Sequence, residues 1–301
     1  MKALQINDMH KSFGKKDVLK GLTFDVEPGE IVGFLGRNGS GKSTTMKCVS
    51  GLIKFNSGEI NVFDHSIVKS REEALKCMGV SIEDPALYPS LNGHDHFNMV
   101  ARWRGVSKDR IKEMEEFSGL EDNLKRATSK YSMGMKMRLM LSLVLLSKPK
   151  FIMLDEPMNG LDPDGVFELR QELKSLKNEG CAILFSSHRL SEVEKVSDRV
   201  VMIEDGKVVY NGNLSEEFRN TGLVYINTAD NEKAKDVLDA AKISTKISKE
   251  KGFENYIIIS DYNVAIDKIL SILYQANISI NDIYKDHPTL ESLYKSLRKE
   301  G

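Results

Sequence analysis

The chain of 301 residues lacks any long hydrophobic run. Its longest nearly apolar stretch, Leu139 to Leu146, is eight residues and contains Ser142, whereas a membrane-spanning helix needs about 20. Met1 is not followed by an apolar segment of signal-peptide length. An intrinsic membrane span is therefore not expected, and a cytoplasmic location is. An excess of one charge is missing too: Lys and Arg number 43 against 44 Asp and Glu. Residues 1–218 carry 31 basic and 32 acidic side chains and residues 219–301 carry 12 of each. Neither part offers the basic stripe that a nucleic-acid backbone requires, so nucleic acid is not an expected partner. Cysteine is scarce. Cys48, Cys77 and Cys181 are odd in number and form no C-x-x-C pair, which argues against a disulfide framework or a zinc site and for small core residues. With 7 Pro, 22 Gly and 41% apolar residues, the composition is that of a globular protein long enough for one large domain or two ordinary ones.

What is present divides into two parts. Up to about residue 218, short apolar runs (Ile31–Leu35, Phe151–Leu154, Ala182–Phe185, Val200–Ile203) alternate with helical patterns. This is the α/β signature of a parallel sheet covered by helices. Helix starts are legible at Asp162, followed by Pro163, and at Ser132; Asn92 and Ser107 are candidate N-caps. A polar insert over about 92–130 opens a helical subdomain extending to about 147. From Gly222 the pattern changes: strand-like Leu223–Asn227, Ile243–Ile247, Tyr256–Ser260 and Ile278–Tyr284 enclose helix-like Glu232–Ala241 and Asn263–Ala276. That β-α-β-β-α-β order predicts a small ferredoxin-like α+β domain over 222–301. A closing amphipathic helix carries Leu290, Leu293, Tyr294 and Leu297 on one face, and Arg219 to Gly222 is the expected hinge.

The chemistry concentrates in two motifs. Gly36-Arg37-Asn38-Gly39-Ser40-Gly41-Lys42-Ser43 has the spacing G-x-x-x-x-G-K-[ST], directly after an apolar strand and before a helical run. Glycines there let successive N–H groups turn toward phosphate oxygens, and the following helix adds the positive end of its dipole. Phe151 to Glu156 is an apolar strand ending in two carboxylates. In a parallel sheet both strands deliver their C-terminal ends to one edge. Asp155 can hold Mg2+ there while Glu156 acts on water as general base. His94-Asp95-His96 only superficially suggests a metal site: histidines at i and i+2 do not share a helix face, so the segment reads as a solvated helix start. Met133, Met135, Met137 and Met140 read as a packing surface.

Further motifs make the resemblance specific. Ser132-Met133-Gly134-Met135, 23 residues before Asp155, resembles the signature motif of ABC ATPases. Asn159-Gly160-Leu161-Asp162 is similar to their D-loop, Ser186-Ser187-His188 to their H-loop, and the segment ending in Glu83 occupies their Q-loop position. The resemblance runs from about residue 3 to 215. It implies a P-loop NTPase fold of the ABC type over 1–218. It implies ATP held by Phe13 on the adenine and by Arg37, Asn38, Gly39, Ser40, Gly41, Lys42, Ser43 and Thr44, with Ser132, Gly134 and Asp162 acting across a dimer. Mg2+ is then expected on Ser43, Glu83 and Asp155, with Glu156 and His188 catalytic. Two departures, Glu83 for the usual Gln and methionines at 133 and 135, are similar to bacterial exporters of the bacitracin-resistance and lantibiotic-immunity type.

The resemblance further implies a homodimer, or a pseudo-dimer with a second ATPase subunit, that docks on the inner face of the membrane through a separately encoded permease and exports an antimicrobial peptide, antibiotic or other amphiphile. Trp103 or Tyr88 is expected in the permease groove. Sodium export is a close alternative. A soluble ABC ATPase without a membrane partner is a second: translation factors of that kind carry two cassettes, and chromosome ATPases need a long coiled coil, neither of which the chain has. A P-loop kinase would leave the signature and H-loop positions without a role.

Overall fold

A computed structural model describes residues 1–83, 85–214, 223–250, 252–259, 265–285 and 289–297. The chain divides into two compact units, Met1–Gly212 and Asn213–Gly301. The expected hinge, 219–222, lies outside the described residues.

The first unit is built on a six-stranded sheet in the order β10-β9-β3-β8-β7-β6. Its strands are β3 (Ile31–Leu35), β6 (Met78–Ser81), β7 (Phe151–Leu154), β8 (Ala182–Ser187), β9 (Arg199–Glu204) and β10 (Lys207–Asn213). Strand β3 runs parallel to β8 and β9, and β7 parallel to β6 and β8. Every residue of β3, β7 and β8 is buried, as a sheet covered on both faces demands. Asp205 and Gly206 both have positive φ, 45° and 79°, the geometry of a two-residue turn that folds β10 back beside β9.

A second sheet, in the order β2-β1-β4-β5, does not stand out in the hydropathy pattern. It comprises β1 (Leu4–Phe13), β2 (Lys16–Val26), β4 (Ser57–Val62) and β5 (His65–Ser66). The reason lies in β1: Leu4 and Ile6 are buried, but Asp8 takes φ 47° and the register with β2 shifts between Ile6 and Met9. One extra residue moves the alternation out of phase, so Met9 is buried where strict alternation expects an outward side chain. The two sheets enclose the main core, in which Phe24 stacks on Phe34 at 5.2 Å. Burial of one such side chain is worth about 1.5–3 kcal/mol. Cys48 and Cys181 are buried, and Cys77 is half-buried and packs against the main core.

Helix α1 (Lys42–Val49) follows β3, and α2 (Arg71–Lys76) precedes β6. The helical subdomain holds α3 (Gly93–Arg104), α4 (Lys108–Phe117) and α5 (Met133–Leu145), capped by Asn92, Ser107 and Ser132. Asn92 and Asp95 form a reciprocal capping box. His96 is not solvated as expected: it is 1% exposed, its Nε2 accepts the Tyr88 N–H at 2.9 Å, and its Nδ1 bonds the Asn92 carbonyl at 2.8 Å. Helix α6 (Pro163–Asn178) starts with Asp162 as N-cap and Pro163 at its first position. A short α7 (Leu190–Glu194) follows β8.

The second unit is a four-stranded antiparallel sheet in the order β12-β13-β11-β14. Its elements run β11 (Val224–Thr228), α8 (Asn231–Ala240), β12 (Thr245–Ile247), β13 (Ile257–Ile259), α9 (Ile266–Gln275), β14 (Ile280–Lys285) and α10 (Leu290–Leu297). The order is ferredoxin-like. Val224, Ile226, Leu238, Ile257, Ile269 and Leu273 belong to its separate core.

Candidate functional site

Between β3 and α1 the chain makes a tight loop. A Cβ on Gly36 would lie 2.4 Å from the Ile203 carbonyl oxygen, and Gly41 takes φ 114° as the residue before α1. Only glycine fits both demands. Lys42 is 6% exposed, and its Nζ donates to the Gly36 carbonyl at 2.7 Å and the Arg37 carbonyl at 3.4 Å. Burial pushes its pKa below the usual 10.5, opposed by the carboxylates of Glu156 and Asp155. Among the described residues, the buried Ser40 hydroxyl has no hydrogen-bond partner. A buried ammonium turned onto carbonyls and an orphaned hydroxyl in one loop fit a phosphate. Arg37, Asn38 and Gly39 are exposed at the loop tip, and Ser43 and Thr44 are half-buried on the first turn of α1.

At the same sheet edge stand the two carboxylates. Asp155 is buried; its N–H donates to the Ser81 carbonyl at 2.8 Å, and its carboxylate accepts from the Ser186 hydroxyl. That hydroxyl in turn accepts the Glu156 N–H at 2.9 Å. Glu156 has φ 49°, a left-handed conformation uncommon for a non-glycine residue and typical of functional turns. Its Oε2 is 2.9 Å from His188 Nδ1. Ser186, quoted in the sequence only as a flank of His188, is thus the side chain that joins the two carboxylate positions. Its residue type and place at the end of an apolar strand were the available signal.

Glu83, Asp155, Glu156, Met133 and Gly160 line one cavity of about 630 Å³. Four segments of a single chain, those ending at Glu83 and at Glu156, starting at Met133 and turning at Gly160, therefore meet there. Glu83 has φ 64° and forms an ion pair with Lys47 of α1, a partner that no spacing rule predicts. Gly160, at φ 75°, leaves room that a Cβ would take from Met133, 2.4 Å from its Cγ. Ser132 and Asp162 are exposed at helix N-termini, where they accept N–H groups from Met135 at 3.2 Å and Gly165 at 2.8 Å. A Cβ on Gly134 would meet nothing closer than 3.9 Å, so the first turn of α5 is open. Phe13 is 51% exposed with the Lys11 ammonium 4.5 Å from its ring centroid.

A parallel sheet that presents a glycine loop, a helix N-terminus and two carboxylates at one edge defines a P-loop NTPase. The family model described as ABC transporter matches residues 19–159. The lantibiotic transport ATP-binding protein SrtF of Streptococcus pyogenes is 40% identical over 223 residues, 72% of this chain and 96% of SrtF. The bacitracin transport ATP-binding protein BcrA of Enterococcus faecalis is 31% identical over 297 residues, 98% of this chain and 96% of BcrA. A solved ATP-binding subunit of an ABC transporter is 30% identical with a TM-score of 0.68, covering 72% of this chain and 92% of that one. The chain belongs to the ABC transporter family. It is an ATP-binding ATPase of that family, and bacitracin and lantibiotic transport proteins are among its relatives. Among the described residues, no helix is long and apolar enough to cross a membrane.

Proposed function

We propose that the chain is the ATP-hydrolysing subunit of an exporter, two copies driving a separately encoded membrane permease that moves an antimicrobial peptide, antibiotic or other amphiphile. The cassette is residues 1–218 and the accessory domain 222–301. The observation that carries the reading is the pairing of Glu156 with His188 at 2.9 Å, on the sheet edge that also holds Lys42. Likeness to BcrA over 98% of the chain, accessory domain included, supports the cargo class. Nearly all of SrtF corresponds to 72% of this chain, which supports an accessory rather than a hydrolytic role for the second unit.

In this reading Lys42 leaves the Gly36 and Arg37 carbonyls for the β- and γ-phosphates, the backbone from Arg37 to Thr44 cradles them, and Phe13 stacks on the base. Asp155, Ser43 and Glu83 offer the hard oxygen donors that suit Mg2+ and would hold it; when bound it neutralises charge on the two phosphates. Glu156 takes the proton of the attacking water and His188 bonds the γ-phosphate. The open first turn of α5, with Ser132 and Gly134, contacts the γ-phosphate bound by the twin subunit, while Asp162 links the two sites. Hydrolysis removes that contact, and the difference in binding energy between the two states is what moves the permease. A cavity of about 490 Å³ lined by Leu52, Ile82, Leu87, Val100, Trp103 and Leu143, with Trp103 71% exposed, suits a permease helix. Tyr88 lies outside that lining.

Glu156→Gln is expected to retain ATP, sediment as a dimer with it, and turn over about 10²–10⁴-fold more slowly. Turnover near the wild-type rate removes the general base. Affinity capture from membranes is expected to recover an integral membrane protein; recovery of ribosomes or soluble scaffolds instead overturns the exporter.

A further inference from the structure

A third cavity, of about 320 Å³, lies between the helical subdomain and α6, away from the P-loop. Part of its wall is apolar: Phe117 at the end of α4, Met137 and Leu141 on α5, Leu161 just before α6 and Leu169 on it. Three charged side chains also line it, and two of them are spent on each other, since Arg138 pairs with Glu168. The third is Glu172. It is half-buried, and among the described residues it has neither an ion pair nor a hydrogen bond. Two bases of α6 pair elsewhere, Arg170 with Glu192 at 3.6 Å and Lys177 with Asp198 at 2.5 Å, and the third, Lys174, does not line the cavity. Burial, with a smaller contribution from Glu179, pushes the Glu172 carboxyl above its usual range. A half-buried acid without a partner, facing a partly apolar hollow, is costly unless a counter-charge arrives.

We propose that this cavity binds a small organic cation with an apolar body, an alkyl- or arylammonium whose charge pairs with Glu172. The walls supply the apolar contact common to ligand sites, and a single convergent charge fixes orientation. The lining carries two acids and one base, so the same hollow disfavours an anion of equal size. Met137 is the shared wall: it lines this cavity and the one containing Asp155 and Glu156. An occupant is therefore one side chain away from the hydrolytic carboxylates, and Leu161 connects it to the D-loop. The site stands whether or not the chain drives a permease.

The test uses the full chain with methionine methyl groups labelled for NMR and 2-phenylethylammonium as the probe. The Met137 signal, assigned with Met137→Leu, is expected to shift saturably. Neutral 2-phenylethanol is expected to bind at least tenfold more weakly and phenylacetate not at all. Glu172→Gln is expected to lose at least tenfold in affinity for the ammonium while binding of the alcohol is unchanged, a split that a general loosening of the fold does not produce. An unmoved Met137, equal affinities for ammonium and alcohol, or full affinity in Glu172→Gln overturns the site. So does a shift at Met133 alone, because Met133 lines the nucleotide-side cavity and not this one.

Discussion

Ser186→Ala tests whether the sheet edge that carries Asp155 and Glu156 is held together by one hydroxyl. Ser186 is fully buried, donates to the Asp155 carboxylate and accepts the Glu156 N–H at 2.9 Å. Alanine removes both bonds and introduces nothing in their place. A hydrogen bond to a charged group is worth about 1.5–3 kcal/mol, and a buried N–H left without an acceptor costs about 1–3 kcal/mol. The adjoining 630 Å³ cavity admits water to part of this edge, so the sum is expected at about 2–4 kcal/mol. That is a large share of a domain stability of about 5–15 kcal/mol. Because the chain comprises two compact units, the second with its own core, a single melting curve is a poor measure. Amide hydrogen exchange of the β7 and β8 peptides reads the first unit alone and is expected to quicken about 30- to 1000-fold, at 1.4 kcal/mol per tenfold. Glu156, no longer tethered through its N–H at φ 49°, is expected to relax, with turnover about 10- to 100-fold lower and ATP affinity little changed. Exchange within threefold of wild type together with turnover within twofold refutes the bridging role.

Lys42→Met is expected to abolish ATP binding in equilibrium dialysis while the empty protein stays folded. Burial holds the folded-state pKa of Lys42 below 10.5, so just under that pH the unfolded chain binds more protons. The contribution of Lys42 to stability therefore rises with pH there. Urea midpoints of the first unit, read by the fluorescence of Trp103, the chain's one tryptophan, are expected to show a wild-type minus Lys42→Met difference that climbs as the pH rises toward 10.5, and a flat or falling difference contradicts the buried ammonium. His96→Ala leaves the Tyr88 N–H without its acceptor and opens a cavity, a cost of about 2–4 kcal/mol. Faster exchange is expected at Tyr88, and an unchanged amide rate there shows that His96 does not fasten the segment after Glu83.

Local interactions made much of this protein legible in its sequence. The spacing from Gly36 to Ser43 fixes a phosphate loop because its glycines and the helix that follows act over eight neighbouring residues. Asn92, Ser107, Ser132 and Asp162 announce helix starts because a cap bonds an N–H three residues on. The fully apolar β3, β7 and β8 read as strands because a sheet covered on both faces selects apolar side chains at every position. Tertiary packing decided the rest. No spacing rule joins Ser186 to Asp155 and Glu156, 31 and 30 residues away, or Lys47 to Glu83, 36 away. His96 looks like a surface helix start until the Tyr88 segment folds over it. The bulge at Asp8 hides an antiparallel sheet by moving its alternation out of phase. The hollow beside Glu172 exists only because α4, α5 and α6 meet there. In each case the deciding energy comes from burial, which depends on what the rest of the chain places alongside, and a residue's neighbours in sequence do not carry that information.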